Sequence, residues 1–166
     1  MTLFIRPEQP GDTEAIARIT LLAFDKTNGE EVAMVARIRA SADFIPELSL
    51  VALKDGLPVG HLLISRERLR TPDDQPTGAE VLLLGPISVL PGYQGQGIGS
   101  VLIECALPVC QARPELAMVL VGHPDFYPRF GFRPAREFGL LPDWNEAMVC
   151  PLRPDLDRHA GLKIPV

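Results

Sequence analysis

Residues 88–103 read SVLPGYQGQGIGSVLI, a strand-like run and an aliphatic run with helical spacing, joined by a loop with glycine at positions 95, 97 and 99. Glycine loses more conformational freedom on folding than any other residue, so glycines on alternate positions are costly unless the loop uses its bare backbone. A strand, a loop and a helix in this order gather unpaired N–H groups and the positive end of the helix dipole around one point. The stretch therefore predicts an anion site suited to a phosphate or pyrophosphate.

The strand that leads into this loop, residues 81–89, contains Gly85-Pro86. Proline cannot donate a ladder hydrogen bond, and glycine inside a strand is typical of a bulge. We therefore predict a kink at this pair. The kink would leave the N–H groups of residues 87–89 pointing away from one neighbouring strand and free to pair with something else.

The helix that follows the loop is predicted from apolar residues at three- and four-residue steps: Ile98, Val101, Leu102, Cys105 and Val109. Pro108 lies inside this run, where its ring removes one hydrogen bond and clashes with the carbonyl of Glu104. We expect the helix to bend or end there.

The rest of the chain alternates between short strands and helices. Turn residues and apolar runs predict helices from about Asp12 and from about Glu30, with the Asp12 carboxylate capping the first. Within GHPDFYPRFGF we predict a short helix closed by Gly131, and from Pro151 a proline-rich, irregular tail. Further strands are predicted at residues 3–6, 48–53, 59–65, 117–121, 132–138 and 147–150.

Composition limits the class of protein. With 166 residues, 46% hydrophobic and 22% charged, the chain predicts one soluble domain over residues 1–166. A net charge of −5 and scattered arginines argue against a nucleic-acid partner. No stretch approaches the roughly 18 apolar residues of a membrane span. The N-terminal residues lack the features of a secretory signal, so we expect no membrane partner and a cytoplasmic location.

The cysteines are three in number, Cys105, Cys110 and Cys150. Because this number is odd and no histidine cluster accompanies them, we expect buried free thiols and no metal site.

Three kinds of phosphate-binding loop can be compared with residues 94–100, QGQGIGS. A nucleoside-triphosphate loop needs a lysine after the glycines, and none follows. The dinucleotide fingerprint needs glycine at the sixth place, which is Ser100 when Gly95 is the first. A loop that holds the pyrophosphate of coenzyme A fits every residue.

Two segments carry a resemblance to a known family. VLPGYQGQGIG, residues 89–99, resembles the acetyl-CoA motif of the GNAT superfamily of N-acetyltransferases, and FYPRFGF, residues 126–132, resembles that family's FYxRFGF segment. The likeness extends from about residue 3 to about residue 150 and is greatest to small, uncharacterised bacterial-type members. It implies an α/β fold with a twisted mixed sheet of six to seven strands, a bulged central strand and about four flanking helices.

The resemblance also implies which residues bind the cofactor. The backbone of Ile87, Ser88 and Val89 would pair with the pantetheine arm. The pyrophosphate would be contacted by Gln94, Gly95, Gln96, Gly97, Ile98, Gly99 and Ser100. Phe130 is a further expected cofactor-binding residue.

The proton transfers need an acid and a base. Tyr127 matches the tyrosine that protonates the departing thiolate in many members, and a phenol with a pKa of about 10 is a credible donor; alternatively its ring is core aromatic. An alkylamine with a pKa near ~10.4 must lose a proton before it attacks. His123 is the first candidate base, because histidine titrates in the useful range, although His-Pro is also an ordinary turn. Glu80, His61 and Asp125 are the others.

These features predict an N-acetyltransferase that moves the acetyl group of acetyl-CoA to a primary amine, by direct attack in a ternary complex. The alternative is a non-catalytic acyl-CoA-binding or sensor module of the same fold, and a dinucleotide-dependent redox protein is disfavoured by Ser100. The expected partner is a small-molecule or peptide amine, and the expected state is a monomer or homodimer. Asp25, Glu30 and Glu31 suggest a cationic amine, or simply a solvated face.

Overall fold

The computed structural model describes residues 2–166, which cluster into two compact units. The first contains the chain up to Ser65 and Gly85–Val109, and the second contains Arg66–Leu84 and Cys110–Val166. The α-helices are α1 (Thr13–Ala23), α2 (Glu30–Arg39) and α3 (Ile98–Gln111). The strands are β1 (Leu3–Pro7), β2 (Phe44–Lys54), β3 (Leu57–Arg70), β4 (Pro76–Val89), β5 (Ala117–Val121), β6 (Arg133–Pro134), β7 (Leu141–Pro142), β8 (Ala147–Pro151) and β9 (Lys163–Ile164).

Strands β3 and β4 each contribute residues to both units, because the units divide at Ser65 and at Gly85. The first unit contains the strand order β1-β2-β3-β4. Strand β2 pairs antiparallel with β1 and with β3, and the Lys54↔Leu57 pair closes the predicted hairpin. Its two-residue turn has Asp55 at φ 49° and Gly56 at φ 83°. Positive φ at both positions is the type I′ geometry that matches the twist of the flanking strands.

Opposite faces of these strands are covered by different helices, since successive residues of a strand point to opposite sides. Ile16 of α1 and Val35 of α2 pack with Val51 and Leu63 in one buried cluster. On the other face Gly60 lies against α3, where a Cβ at position 60 would be 3.1 Å from Cγ2 of Ile98. The start of α3 is therefore anchored on the sheet.

The second unit contains the order β3-β4-β5-β8-β6, with β9 paired to β3 and β7. Strands β4 and β5 are parallel at Leu82↔Met118 and Leu83↔Val119, whereas β5 and β8 are antiparallel. The predicted mixed sheet is thus confirmed. The buried cluster of this unit contains Leu69, Val81, Ala117, Val119, Ala135, Leu140, Ala147, Val149, Leu156 and Ile164.

The α-helices of the described residues number three, and the other helical segments are short 3-10 turns at Pro10–Asp12, Pro91–Tyr93, Tyr127–Phe130, Ala135–Phe138 and Leu156–His159. None of the helices in residues 2–166 is long and apolar enough to cross a membrane.

Several local predictions were wrong. The strand at 132–138 covers only Arg133–Pro134 before a 3-10 turn, and the tail beyond Pro151 packs through the buried Leu156 and Ile164 and forms β9. Helix α3 continues past Pro108 to Gln111. The helix therefore does not end at the proline, since the burial of Ala106 and Cys110 on either side favours its continuation. The alternative of a bend at Pro108 stays a prediction.

Two side chains also differ from expectation. Cys105 is exposed, because the buried face of α3 follows Ile98, Leu102, Ala106 and Cys110; all three thiols are free. Asp12 makes no cap to α1. Its carboxylate instead accepts from the Gln9 amide at 2.7 Å and from both terminal nitrogens of Arg6. The nearby guanidinium is the stronger partner, and the Asp12 pKa is lowered by it.

Candidate functional site

The glycine loop, residues 94–97, lies between the 3-10 turn that follows β4 and the first residue of α3. Gly95 has φ +73° and Gly97 has φ +80°, so both need the freedom of glycine. A Cβ at either position would meet no protein atom within 4 Å. Gly99 differs, since its φ is not positive and a Cβ there would make an ordinary 3.7 Å contact with Cδ1 of Ile87. The space beside Gly95 and Gly97 is open.

The backbone amides of residues 95–100 are unpaired. None of them donates a hydrogen bond to any atom of residues 2–166, and the first return bond of α3 runs from the Val101 amide to the Gly97 carbonyl at 3.1 Å. The first N–H groups of a helix have no intrahelical partner and carry the positive end of its dipole. Together with the loop amides they form a concentrated set of donors.

The side chains of the loop support its shape. Nε2 of Gln94 donates to the Val89 carbonyl at 3.0 Å, and Nε2 of Gln96 donates to the Gly92 carbonyl at 3.4 Å. Ile98 is buried at 3% exposure. One nitrogen of the exposed Gln94 side chain is therefore occupied within the protein, and the buried Ile98 has only its backbone to offer a ligand.

Lys54 is a cation at this loop that sequence reasoning missed. Its Nζ donates to Oε1 of Gln96 at 2.5 Å and lies 5.5 Å from the centroid of the Tyr93 ring. Lys54 ends β2, and the register of the β2–β3 hairpin brings it to the loop. Nothing in the sequence around Lys54 signals this contact, which joins residues 42 positions apart.

Strand β4 runs on through Gly85-Pro86 to Val89, and Gly85 takes φ +152°, which other residues rarely adopt. Ser88 is 2% exposed, and its Oγ lies 3.4 Å from Oγ1 of Thr20 in α1. The Ser88 hydroxyl is therefore directed into the protein. Residues 87–89 and 94–100, which are the sequence-predicted cofactor residues apart from Phe130, lie in the first unit with Lys54.

Tyr127 lies in the second unit, at the first position of a 3-10 turn that Gly131 closes with φ +93°. Its ring makes edge contacts with Phe126 at 5.0 Å and with the buried Phe132 at 5.9 Å. The hydroxyl makes no hydrogen bond within residues 2–166, yet it is not among their buried unpartnered polar atoms. Burial of the ring raises the pKa of the phenol, so Tyr127 keeps its proton at neutral pH.

Phe130 also lies in the second unit, where its half-buried ring is 5.4 Å from that of Phe126. It belongs to the aromatic cluster that holds Tyr127.

The candidate bases have unequal surroundings. Glu80 faces two arginines, with Nε of Arg66 at 3.8 Å and Nη2 of Arg68 at 3.4 Å. His123 and Asp125 are exposed and precede Tyr127 in the same segment. Glu80 is thus held in ion pairs, whereas His123 and Asp125 are accessible.

His61 is fully buried on β3 and belongs to a polar cluster with Glu8, Ser49 and Arg39. The Ser49 hydroxyl donates to Glu8 at 2.8 Å, so it accepts from Nε2 of His61 at 2.9 Å, and Nδ1 is left buried with no partner in the described chain. Burial lowers the pKa of His61. This histidine cannot exchange protons with an incoming amine, and its cluster stabilises the fold.

Comparison with known proteins identifies the class. Residues 46–134 match the model of the acetyltransferase (GNAT) domain, a range that contains both the glycine loop and Tyr127. The chain belongs to the GNAT family of acetyltransferases.

Two curated relatives are N-acetyltransferases of Escherichia coli described as uncharacterised. YjhQ is 33% identical over 105 residues, which cover 63% of this chain and 56% of YjhQ, so the match spans little more than half of that relative. YhbS is 29% identical over 143 residues, 86% of this chain and 80% of YhbS.

Two solved structures have the same fold as this chain. A GNAT family acetyltransferase from Brucella melitensis in complex with acetyl-CoA is 31% identical with a TM-score of 0.73, covering 92% of this chain and 90% of that one. The complex of E. coli YhbS with CoA superposes with a TM-score of 0.78 at 23% identity, covering 97% and 88%, and supports the fold.

Proposed function

We propose that this protein transfers the acetyl group of acetyl-CoA to a primary amine by direct attack in a ternary complex. The observation that carries the proposal is the run of unpaired amides at residues 95–100, in a chain that belongs to the GNAT family. Donors gathered at a helix N-terminus suit the pyrophosphate of acetyl-CoA. The Brucella relative, which holds acetyl-CoA, supports the same ligand here.

In this proposal the anion is bound mainly by backbone. The open space beside Gly95 and Gly97 admits the pyrophosphate, and the amides of residues 95–100 donate to it. Lys54 adds a positive charge at the edge of the loop. The backbone of Ile87, Ser88 and Val89, on β4 beyond Gly85-Pro86, pairs with the pantetheine arm.

The reaction forms a C–N bond between the amine and the thioester carbonyl carbon and breaks the C–S bond. The amine gives up a proton to a base, and the departing thiolate takes one. Tyr127 is proposed as the proton donor, because its phenol is protonated at neutral pH and its hydroxyl is unpaired. His123 is proposed as the base, with Asp125 as the accessible carboxylate of the same segment.

The test combines binding and turnover. Isothermal titration with acetyl-CoA and with NAD should give binding of acetyl-CoA alone. Release of free CoA thiol should then be followed over amines, amino acids, polyamines and peptide N-termini, and a thiol signal dependent on one acceptor is expected. Absence of binding at millimolar acetyl-CoA would refute the proposal; binding without thiol release across the panel would leave a sensor module instead.

A further inference from the structure

Gly122 occupies the position where β5 ends, directly after Val121, and its backbone amide donates to the Glu146 carbonyl at 3.4 Å. Its φ is not positive, so the backbone conformation does not require glycine there. The other glycines of this segment are of a different kind: Gly131 has φ +93° and closes the 3-10 turn. Gly122 therefore has another reason to be glycine.

That reason is the ring of Tyr127. A Cβ built on Gly122 would lie 2.3 Å from Cε2, 2.9 Å from Cδ2 and 3.2 Å from Cζ of Tyr127. Carbon atoms in contact sit at about 3.5–4.0 Å, so no side chain fits while the ring stays in place. The phenol ring occupies the space that a side chain at position 122 would need.

The ring has little room to move away. Phe126 and the fully buried Phe132 both meet it edge-on, at interplanar angles of 81° and 70°. Gly122 is a third neighbour of the ring.

We propose that Gly122 is a positioning residue for Tyr127. Because glycine has no side chain, the phenol can pack against the end of β5, and this contact fixes where its hydroxyl points. The catalytic part of this inference rests on the proposed function, because it takes Tyr127 as the proton donor. A displacement of about 1 Å can cost a reaction on the order of 100-fold. A methyl group at position 122 would force a shift of this size.

The first test measures the contact itself and needs no activity. In Gly122→Ala the thermal midpoint should fall on the order of 5 °C, as for an overpacked core site. In a Tyr127→Ala background, which lacks the ring, the same Gly122→Ala change should have almost no effect. Gly78→Ala is the matched control, since a Cβ at that exposed position meets nothing within 4 Å. Equal losses in both backgrounds would overturn the proposal, and so would a double variant that fails to fold when Tyr127→Ala folds.

A spectroscopic titration of the phenol reports on the surroundings of the Tyr127 ring. The chain has two tyrosines, so Tyr93→Phe leaves Tyr127 as the sole phenol that titrates at alkaline pH. Burial raises the pKa of Tyr127, and displacement of its ring by Gly122→Ala should lower that pKa toward its ordinary value. An unchanged titration curve would contradict the proposal.

The last test reads catalysis. Gly122→Ala should lower kcat about 10- to 100-fold with KM for acetyl-CoA nearly kept, and Gly122→Ala combined with Tyr127→Phe should be no slower than Tyr127→Phe alone. Losses that multiply would show that Gly122 acts on something other than the hydroxyl and would overturn its catalytic role. If wild type has no turnover on any amine, the proposed function fails, while the stability and titration results still decide whether Gly122 positions the ring.

Discussion

The glycine loop and the Tyr127 segment place their functional groups by opposite means. In residues 95–100 the groups are main-chain amides, aimed by two positive-φ glycines and by a helix that starts at Ile98. In the other region the group is a single hydroxyl, held by ring contacts with Phe126 and Phe132 and by the absence of a side chain at Gly122. Main-chain donors depend on the backbone conformation that the positive-φ glycines allow, whereas one hydroxyl depends on everything packed around its ring.

The largest effect is expected from Gly97→Val. Valine at φ +80° is strained, and its side chain would fill space that is open in the loop. The free loop would relax from this conformation, so binding would have to restore strain on the order of 3 kcal/mol in addition to the lost space. The affinity for acetyl-CoA should fall by more than about 1000-fold, as measured by isothermal titration. Gly92→Val is the matched control, because Gly92 lacks a positive φ and has no neighbour within 4 Å of its Cβ position. A folded Gly97→Val protein with normal affinity would break the comparison.

Tyr127→Phe should act on turnover instead of binding. Removing a general acid typically costs about 100- to 1000-fold in rate, and kcat should fall to this extent while the affinity for acetyl-CoA is nearly unchanged. Steady-state kinetics on the best acceptor, with titration of acetyl-CoA into the same variant, measure both. Equal turnover of variant and wild type would remove Tyr127 from the proposed mechanism.

The stability of the fold at acid pH depends on the cluster around Glu8, which belongs to neither region. Burial would raise the pKa of Glu8, but the nearby imidazole of His61 and hydrogen bonds from Arg39 and Ser49 outweigh it and lower the pKa from 4.5 to about 2. This stabilisation is present above pH 4.5 and is lost as the pH falls toward 2. Burial of neutral His61 acts in the same direction below about pH 6.5.

The free energy of unfolding should therefore drop by about 2–3 kcal/mol from Glu8 on acidification. Urea unfolding between neutral and acid pH measures the drop, and Glu8→Gln should show a flatter profile. Parallel profiles for the two proteins would assign the acid sensitivity elsewhere. When the dependence of the unfolding free energy on pH is known, a fall in turnover at mildly acid pH can be ascribed either to the site or to loss of the fold.

The smallest effect is expected from Lys54→Gln. Its ammonium contacts Gln96 at the edge of the loop, in partly exposed surroundings where charge interactions are weak and screened. The affinity for acetyl-CoA should fall about threefold at low salt, a loss of less than about 1 kcal/mol, and the loss should shrink at high salt. Lys26→Gln, at an exposed position before α2, is the control. A loss independent of salt would mean that Lys54 shapes the loop instead of attracting the anion.

The two regions also differ in how far they could be predicted. The strand, the glycine loop and the start of α3 were read correctly from residues 88–103, because positive φ and helix N-terminal donors are properties of the local chain. The hairpin at Asp55-Gly56 was equally local. By contrast, the short β6 and the packed tail through Leu156 and Ile164 could not be foreseen. Strand β6 depends on pairing with β8, and the tail depends on burial in a cluster drawn from distant segments.

The amino-acid sequence by itself determined the family, the glycine loop before α3 and the turn that carries Tyr127, because short-range backbone preferences and hydrophobic periods encode them. Only the tertiary structure decided that Lys54 reaches the loop, that His61 is buried with Glu8 and that Gly122 lies beneath the phenol. Each of these contacts depends on strand register or on close packing between side chains and backbone. Such distances are set when the chain packs, and no local pattern of residues predicts them.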